Sequence, residues 1–234
     1  MNSIERKLLK SLIVGKPNVG KSTLVNFLVG EKVSIVSRKA QTTQKNTTGV
    51  ITKDDKQLIF FDTPGLNKIE KHVRISENFK VVAEKVDLLF YMVDNRQQSQ
   101  MVDSQFNNWL NENGHNFRKK ILIVNKIDRI EKPQLFSITK KINDTISFDE
   151  TFFISLNKLS GTDSLKSWIE NQASHNEWMF EESYKSNIGK KDFLSELTRE
   201  KIFENIHEEI PYNLKIKTDY IEPADKKSLK IYQT

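Results

Sequence analysis

The sequence predicts an α/β fold in which helices flank a mostly parallel sheet, with a partial α+β segment on its C-terminal side. Three observations predict it. Short apolar runs alternate with amphipathic stretches up to Gln172, as βα units require. The first apolar run ends in a glycine-rich turn that opens a helix. The chain, at 234 residues, is long enough for one full domain plus part of a second.

The elements follow in order. Strands are expected at Leu8–Val14, Gly49–Thr52, Gln57–Phe61, Asp87–Val93, Lys120–Val124 and Thr151–Ile154. Helices are expected to start near Lys21, Val73, Val102, Pro133 and Thr162. Val102, Phe106, Trp109 and Leu110 recur at helical spacing and read as core. From Ala173 to Lys190 periodicity fails and polar residues dominate, which predicts a linker between residues 1–172 and 191–234. Asp192 to Ile210 reads as a helix, with Phe193, Leu194, Leu197, Ile202, Phe203 and Ile206 near one face. Pro211 stops it, and Asn213 to Ile221 alternates like a strand.

Composition narrows the class. Hydrophobic residues make up 37% and charged residues 29%, as in ordinary soluble proteins. The chain has no cysteine, which excludes disulfides and thiolate metal sites. The apolar run from Leu8 to Val14 is broken by Lys10 and Ser11, too short for a signal peptide, and no stretch reaches bilayer length. A soluble, cytoplasmic protein is expected. The net charge of +6 is unevenly spread. Residues 1–172 hold 27 Lys and Arg against 19 Asp and Glu, a surplus of +8, whereas residues 173–234 hold 10 against 12, or −2. A solvated surface with a phosphate site and a nucleic-acid face both fit the basic part. His72, His115, His175 and His207 lie without ligand spacing and carry no expected chemistry.

The chemistry begins at Gly15-Lys16-Pro17-Asn18-Val19-Gly20-Lys21-Ser22, followed by Thr23, which fits G-x-x-x-x-G-K-[ST] between a strand and a helix. That is the phosphate loop of a P-loop NTPase. Its backbone N–H groups and the helix N-terminus face phosphate oxygens. Lys21 would reach the β- and γ-phosphates, and the Ser22 hydroxyl would ligate Mg2+. Asp62-Thr63-Pro64-Gly65 follows the run Leu58-Ile59-Phe60-Phe61, so Asp62 stands at a strand's carboxyl end facing the ligand crevice. It could hold magnesium directly or through water, with the Gly65 N–H meeting the γ-phosphate. Between these motifs, Ser37 to Gln44 is polar and aperiodic, and Thr43 or Thr42 is the candidate to reach the metal beside a γ-phosphate. Arg38 and Lys39 in the same loop read as solvated.

Asn125-Lys126-Ile127-Asp128 follows the strand Ile121-Leu122-Ile123-Val124. Asp128 can accept both donors of guanine's Watson–Crick edge, a pair adenine does not offer; such sites discriminate by up to about 10⁴–10⁵. Asn125 would brace the neighbouring loops and Lys126 would stack on the base. Three motifs in this order read as a site for GTP and GDP, and the chain as a GTPase.

These residues resemble the Era-type GTPases, bacterial proteins with a C-terminal KH domain, over about Leu8 to Tyr220. The marks are the phosphate loop, then Ser37-Arg38-Lys39-Ala40-Gln41-Thr42-Thr43, then Asp62-Thr63-Pro64-Gly65-Leu66. Arg199-Glu200-Lys201 and Glu209-Ile210-Pro211-Tyr212 look like the entry into the KH domain. The resemblance implies that Thr43 is the switch threonine on Mg2+, that Lys21, Thr43 and Gly65 form the catalytic set, and that Asn18 helps bind K+. Leu66 stands where many small GTPases have a water-orienting glutamine, which implies slow, cation-assisted turnover. It also implies a monomer that binds small-subunit ribosomal RNA near its 3′ end, aids small ribosomal subunit assembly, and associates peripherally with the inner membrane.

Two departures shape the expectations. The loop backing the base reads Ser155-Leu156-Asn157 where the family usually has Ser-Ala, so Ser155 and Leu156 are the guanine-loop candidates. No GxxG follows Gly161, although KH modules grip RNA with that loop. Residues 191–234 therefore read as an incomplete KH-like domain, ending in a drifted or out-of-frame tail from Pro223 to Thr234. Two other readings stay open: a GTP-dependent switch for a protein or membrane, and a decayed fragment of the family without RNA binding.

Overall fold

A computed structural model describes residues 5–34, 47–62, 68–69, 72–73, 77–94, 104–205, 214–224 and 228–234. Its elements are β1 (Lys7–Gly15), α1 (Lys21–Val29), β2 (Thr47–Lys53), β3 (Lys56–Asp62), β4 (Lys68–Ile69), β5 (His72–Val73), α2 (Glu77–Ala83) and β6 (Leu88–Val93). There follow α3 (Ser104–Asn113), β7 (Lys119–Val124), α4 (Lys132–Asn143), β8 (Glu150–Phe153), α5 (Thr162–Glu170), β9 (Ser174–His175), α6 (Lys190–Asn205), β10 (Thr218–Pro223) and β11 (Leu229–Gln233).

The main sheet runs β2-β3-β1-β6-β7-β8, with β9 pairing the start of β1. β2 and β9 are antiparallel to their partners and the other pairings are parallel. Central strands covered on both faces must be apolar throughout, and all six residues of β6, Leu-Leu-Phe-Tyr-Met-Val, are buried. Alternate side chains along β1 feed opposite layers. Leu9 and Ile13 pack with α1 and α5 residues such as Leu24 and Leu165. Leu12 and Val14 pack with Phe106, Leu110, Ile138 and Ile142 of α3 and α4. The sheet is thus sandwiched, and its carboxyl-end loops collect on one edge, where α/β folds place ligands.

Each strand expected between Leu8 and Ile154 is present within two residues at either end. The strand expected from Asn213 to Ile221 begins later, at Thr218. The helix expected near Val73 begins at Glu77 instead; Val73 itself lies in β5, paired with Lys68. The last helix spans Lys190–Asn205 and residues 206–213 lie outside the described set.

The segment 173–190 runs along the sheet as well as connecting it to α6. The Val50 N–H donates to the Lys185 carbonyl at 2.8 Å, and the Thr48 N–H to Asn187 Oδ1 at 2.8 Å, which covers the open edge of β2. Gln57, fully buried on β3, accepts from the Met179 and Phe180 N–H groups and donates to the Phe180 carbonyl. Phe180 and Tyr184 stack at 4.3 Å and pack over Leu8, Val50 and Ile59.

Beyond it, β10 and β11 form an antiparallel hairpin against α6. Ser195 and Thr218 share a hydrogen bond of 2.7 Å, and Thr198 donates to Gln233 at 2.8 Å. Within the stretch read as a drifted tail, Leu229–Gln233 form β11 paired to β10: Ile231 sits opposite Ile221 and Tyr232 opposite Tyr220. Among the described residues no helix is long and apolar enough to cross a membrane.

Candidate nucleotide site

The turn between β1 and α1 demands its glycines. Gly15 has φ 151°, and a Cβ there would lie 2.2 Å from the Met92 carbonyl oxygen of β6. Gly20 caps α1 at φ 111°, and its Cβ would fall 2.4 Å from Asn125 Nδ2. Any side chain at either position would push the loop off its neighbours. Lys16, Pro17 and Asn18 form the partly exposed crest and Val19 is buried beneath it. Asn18 takes a left-handed φ of 64°. Thr23 follows in the first turn of α1.

Lys21 is 7% exposed and its Nζ donates to the Gly15 and Lys16 carbonyls, each at 3.1 Å. The ammonium thus curls under the loop it will serve. Burial pulls its pKa below the ordinary lysine value, against the attraction of Asp62. Asp62, at the end of β3, is fully buried. Its Oδ2 accepts from Ser22 Oγ at 2.6 Å and from Ser34 Oγ at 2.7 Å. Burial raises its pKa above the usual carboxylate range, opposed by Lys21 and by the two hydroxyls.

Asp62 Oδ1 is buried with no hydrogen-bond partner among the described residues. A solvent-excluded carboxylate oxygen without a donor is costly, and a hard cation with oxygen ligands is the partner that removes the cost. The orphaned oxygen and the adjacent Ser22 hydroxyl therefore fit a magnesium ion.

On the base side, Asn125 Nδ2 donates to the Val19 carbonyl at 2.9 Å while its Oδ1 accepts from the Leu156 N–H at 3.3 Å. Lys126, at φ 62°, donates through Nζ to the Asn18 carbonyl at 2.6 Å and pairs with Asp94 at 2.7 Å. Its stem is thereby laid across the mouth of the phosphate loop. Asp128 Oδ1 accepts from Ser155 Oγ at 2.5 Å, which holds the carboxyl below the usual range. An ionised, oriented acceptor is what guanine's two donors require. The Ser155 and Ser160 backbones exchange hydrogen bonds, closing the loop that carries Leu156.

The structure brings Gly15, Lys21, Ser22 and Asp62 together, and joins them through Val19 and Asn18 to Asn125 and Lys126. Thr42, Thr43, Thr63, Pro64, Gly65 and Leu66 lie outside the described residues, as do Arg38 and Lys39. Sequence reasoning missed Ser34, Asn26 and Asp94. Ser34 is buried on Asp62, and Asn26 holds it there by accepting from the Val33 and Ser34 N–H groups. Neither had a legible signal. Asp94 did: it follows an all-apolar strand directly, much as Asp62 follows the apolar run of β3.

The chain is similar to known GTPases in sequence and in fold. The family model described as a 50S ribosome-binding GTPase matches residues 10–126. GTPase Era of Bradyrhizobium diazoefficiens is 33% identical over 225 residues, 95% of this chain and 72% of that protein. GTPase Era of Brucella suis is 34% identical over 226 residues, 94% and 71%. Among solved structures, Era in complex with MgGDPNP and nucleotides 1506–1542 of 16S ribosomal RNA superposes with a TM-score of 0.74 at 29% identity, covering 94% of this chain and 74% of that one. A tyrosine-to-alanine variant of Aquifex aeolicus Era bound to GDP.AlF4- gives 0.76 at 29% identity, with the same coverage. This chain belongs to the Era family of GTPases.

Proposed function

We propose that the chain binds GTP with magnesium at the junction of the phosphate loop and Asp62, hydrolyses it slowly, and uses the nucleotide state to control an RNA contact in small ribosomal subunit assembly. The observation that carries the first part is the buried Asp62 Oδ1, without a donor among the described residues, beside Ser22 and Lys21. Ser22 and Asp62 would hold the magnesium, which would supply neutralisation of phosphate charge. Lys21 neutralises the phosphates, Gly15 to Thr23 wrap them with backbone N–H groups, and Asn18 adds a ligand for potassium. Thr43 and Gly65, with Thr63 and Pro64 before it, complete the γ-phosphate side. Asn125, Lys126, Asp128, Ser155 and Leu156 read guanine. Replacing Asp128 by Asn exchanges an acceptor for a donor facing the base, so preference should move from GTP toward xanthosine triphosphate. Competition binding that leaves GTP preferred in D128N would refute the base assignment.

Residues 1–172 act as the GTPase domain, 173–190 as the connector and 191–234 as an incomplete KH-like unit. The RNA part is supported by relatedness to Era, one structure of which holds 16S ribosomal RNA. The test is equilibrium binding of the whole chain to a small-subunit RNA 3′ fragment, with GDP and with a non-hydrolysable GTP analogue, across several salt concentrations. Tighter binding in the GTP-like state than with GDP, and above that to a scrambled RNA, supports the assembly role. Weak binding that salt erases and that ignores sequence and nucleotide leaves a GTP-dependent switch for a protein or a membrane surface.

A further inference from the structure

Lys126 serves the base site, yet the carboxylate that holds it has no assigned part. Asp94 directly follows β6, and its side chain is 1% exposed. Its Oδ2 lies 2.7 Å from Lys126 Nζ, and the same ammonium donates to the Asn18 carbonyl at 2.6 Å. One charge thus joins three segments: the end of β6, the loop after β7 and the crest of the phosphate loop. The adjacent contacts run the same way. The Asn125 N–H donates to the Val93 carbonyl at 2.8 Å, and the Asn125 side chain to the Val19 carbonyl at 2.9 Å.

We propose that Asp94 is a positioning residue for guanine nucleotide: it draws the Lys126 ammonium inward over the phosphate loop, so that the lysine stem is already fixed as the surface on which the base stacks. The inference rests on the guanine reading of Asn125, Lys126 and Asp128. A carboxylate excluded from water stays charged only beside a partner, and Lys126 stands 2.7 Å away to provide the charge. In return the lysine, a long side chain with many rotamers when free, is held at its tip from two sides before any nucleotide arrives. Such preorganisation shows as affinity, because ordering the group no longer subtracts from binding. With the carboxylate gone, the ammonium keeps, among the described residues, the Asn18 carbonyl, and its partly exposed stem can swing toward water. The left-handed backbone of Lys126 and of Asn18 narrows the geometry further.

The test uses the full chain and three variants: Asp94→Asn, which keeps the shape, Lys126→Met, which keeps the stem, and the double variant. GDP and inosine diphosphate affinities are measured by titration calorimetry, GTP turnover by steady-state kinetics, and folding by thermal melting. Asp94→Asn should weaken GDP about tenfold or more. It should weaken inosine diphosphate by the same factor, since inosine lacks only the 2-amino group that faces Asp128. KM should rise with kcat held within about twofold. The double variant should bind no more weakly than Lys126→Met alone, because Asp94 acts through that lysine.

Wild-type GDP affinity in Asp94→Asn, with only a lowered melting point, overturns the proposal and leaves a structural ion pair. Losses that multiply in the double variant overturn it too, by placing the action of Asp94 elsewhere. Wild-type affinity in Lys126→Met overturns both this proposal and the base-site reading, whereas a silent Asp94 beside a weakened Lys126 variant overturns this proposal alone.

Discussion

The nucleotide edge of the sheet and the C-terminal hairpin use similar residue types to opposite ends. At the nucleotide edge, the polar groups Lys21, Asp62, Asp94 and Asn125 are buried at the end of a sheet with an apolar cluster on each face. Their hydrogen bonds cross between segments far apart in sequence, as from Asn125 to Val19 and from Ser22 to Asp62. At the hairpin the polar contacts run to the neighbouring α6, and the apolar side chains Tyr220, Leu229, Ile231 and Tyr232 are all exposed. A two-stranded sheet buries one face at most and is marginal without a backing layer. Among the described residues that layer is α6. The candidate site thus sits where the sheet is covered on both faces, whereas the hairpin leaves apolar side chains exposed.

The sharpest way to break the first region is Lys21→Ala. It removes the phosphate-facing ammonium and should lower GTP affinity about a hundredfold, the size of two charge-assisted hydrogen bonds. Equal affinity in that variant, by titration with a fluorescent analogue, would remove the phosphate-loop assignment. Next comes Gly20→Ala, whose Cβ meets Asn125 Nδ2 at 2.4 Å on a backbone that disfavours side chains. It should destabilise by about 1–3 kcal/mol and weaken guanine and phosphate contacts together; a wild-type melting curve would show that the two loops are not locked.

The two regions are themselves joined. Glu200 of α6, with its side chain 5% exposed, pairs with Lys32 at 2.6 Å, two residues before the Ser34 that touches Asp62. Glu200→Ala frees a lysine that is already 37% exposed, so solvent softens the loss to about 1 kcal/mol. The expected readout is faster proteolysis at 214–224 with nucleotide affinity nearly intact. A large fall in affinity instead would mean that the hairpin unit feeds the site. The smallest effect belongs to Tyr220→Ala, which ends the 4.0 Å stack on Tyr232. A cross-strand pair of this kind contributes about 0.2–1 kcal/mol, measurable as a slight shift in the denaturant midpoint.

Much of the sandwiched region was legible because its physics is periodic. β6 and β7 carry unbroken apolar runs, and the motif residues mark the ends of β1, β3 and β7. What escaped were contacts without a period. Gln57 looks like an ordinary polar strand residue, yet its side-chain amide holds the Met179 and Phe180 backbone against β3. Ser34 reaches Asp62 only because Asn26 bends the chain back on α1. β11 went unread because Leu-Lys-Ile-Tyr-Gln is short and its partner, β10, decides its register. Val73 belongs to a two-residue strand rather than to a helix, a distinction that local propensity does not carry.

The hydrogen bonds that Lys185 and Asn187 make to β2 have a practical consequence for cutting this protein. A fragment ending at Gln172 keeps every motif but loses Phe180 and Tyr184 from above Leu8, Val50 and Ile59, and uncovers the outer edge of β2. Open edges beside bare apolar surface invite strand-to-strand association. The shorter piece should therefore aggregate where one ending after Ile188 stays dispersed, so the smallest self-sufficient nucleotide-binding unit is set by sheet completeness and not by its motifs.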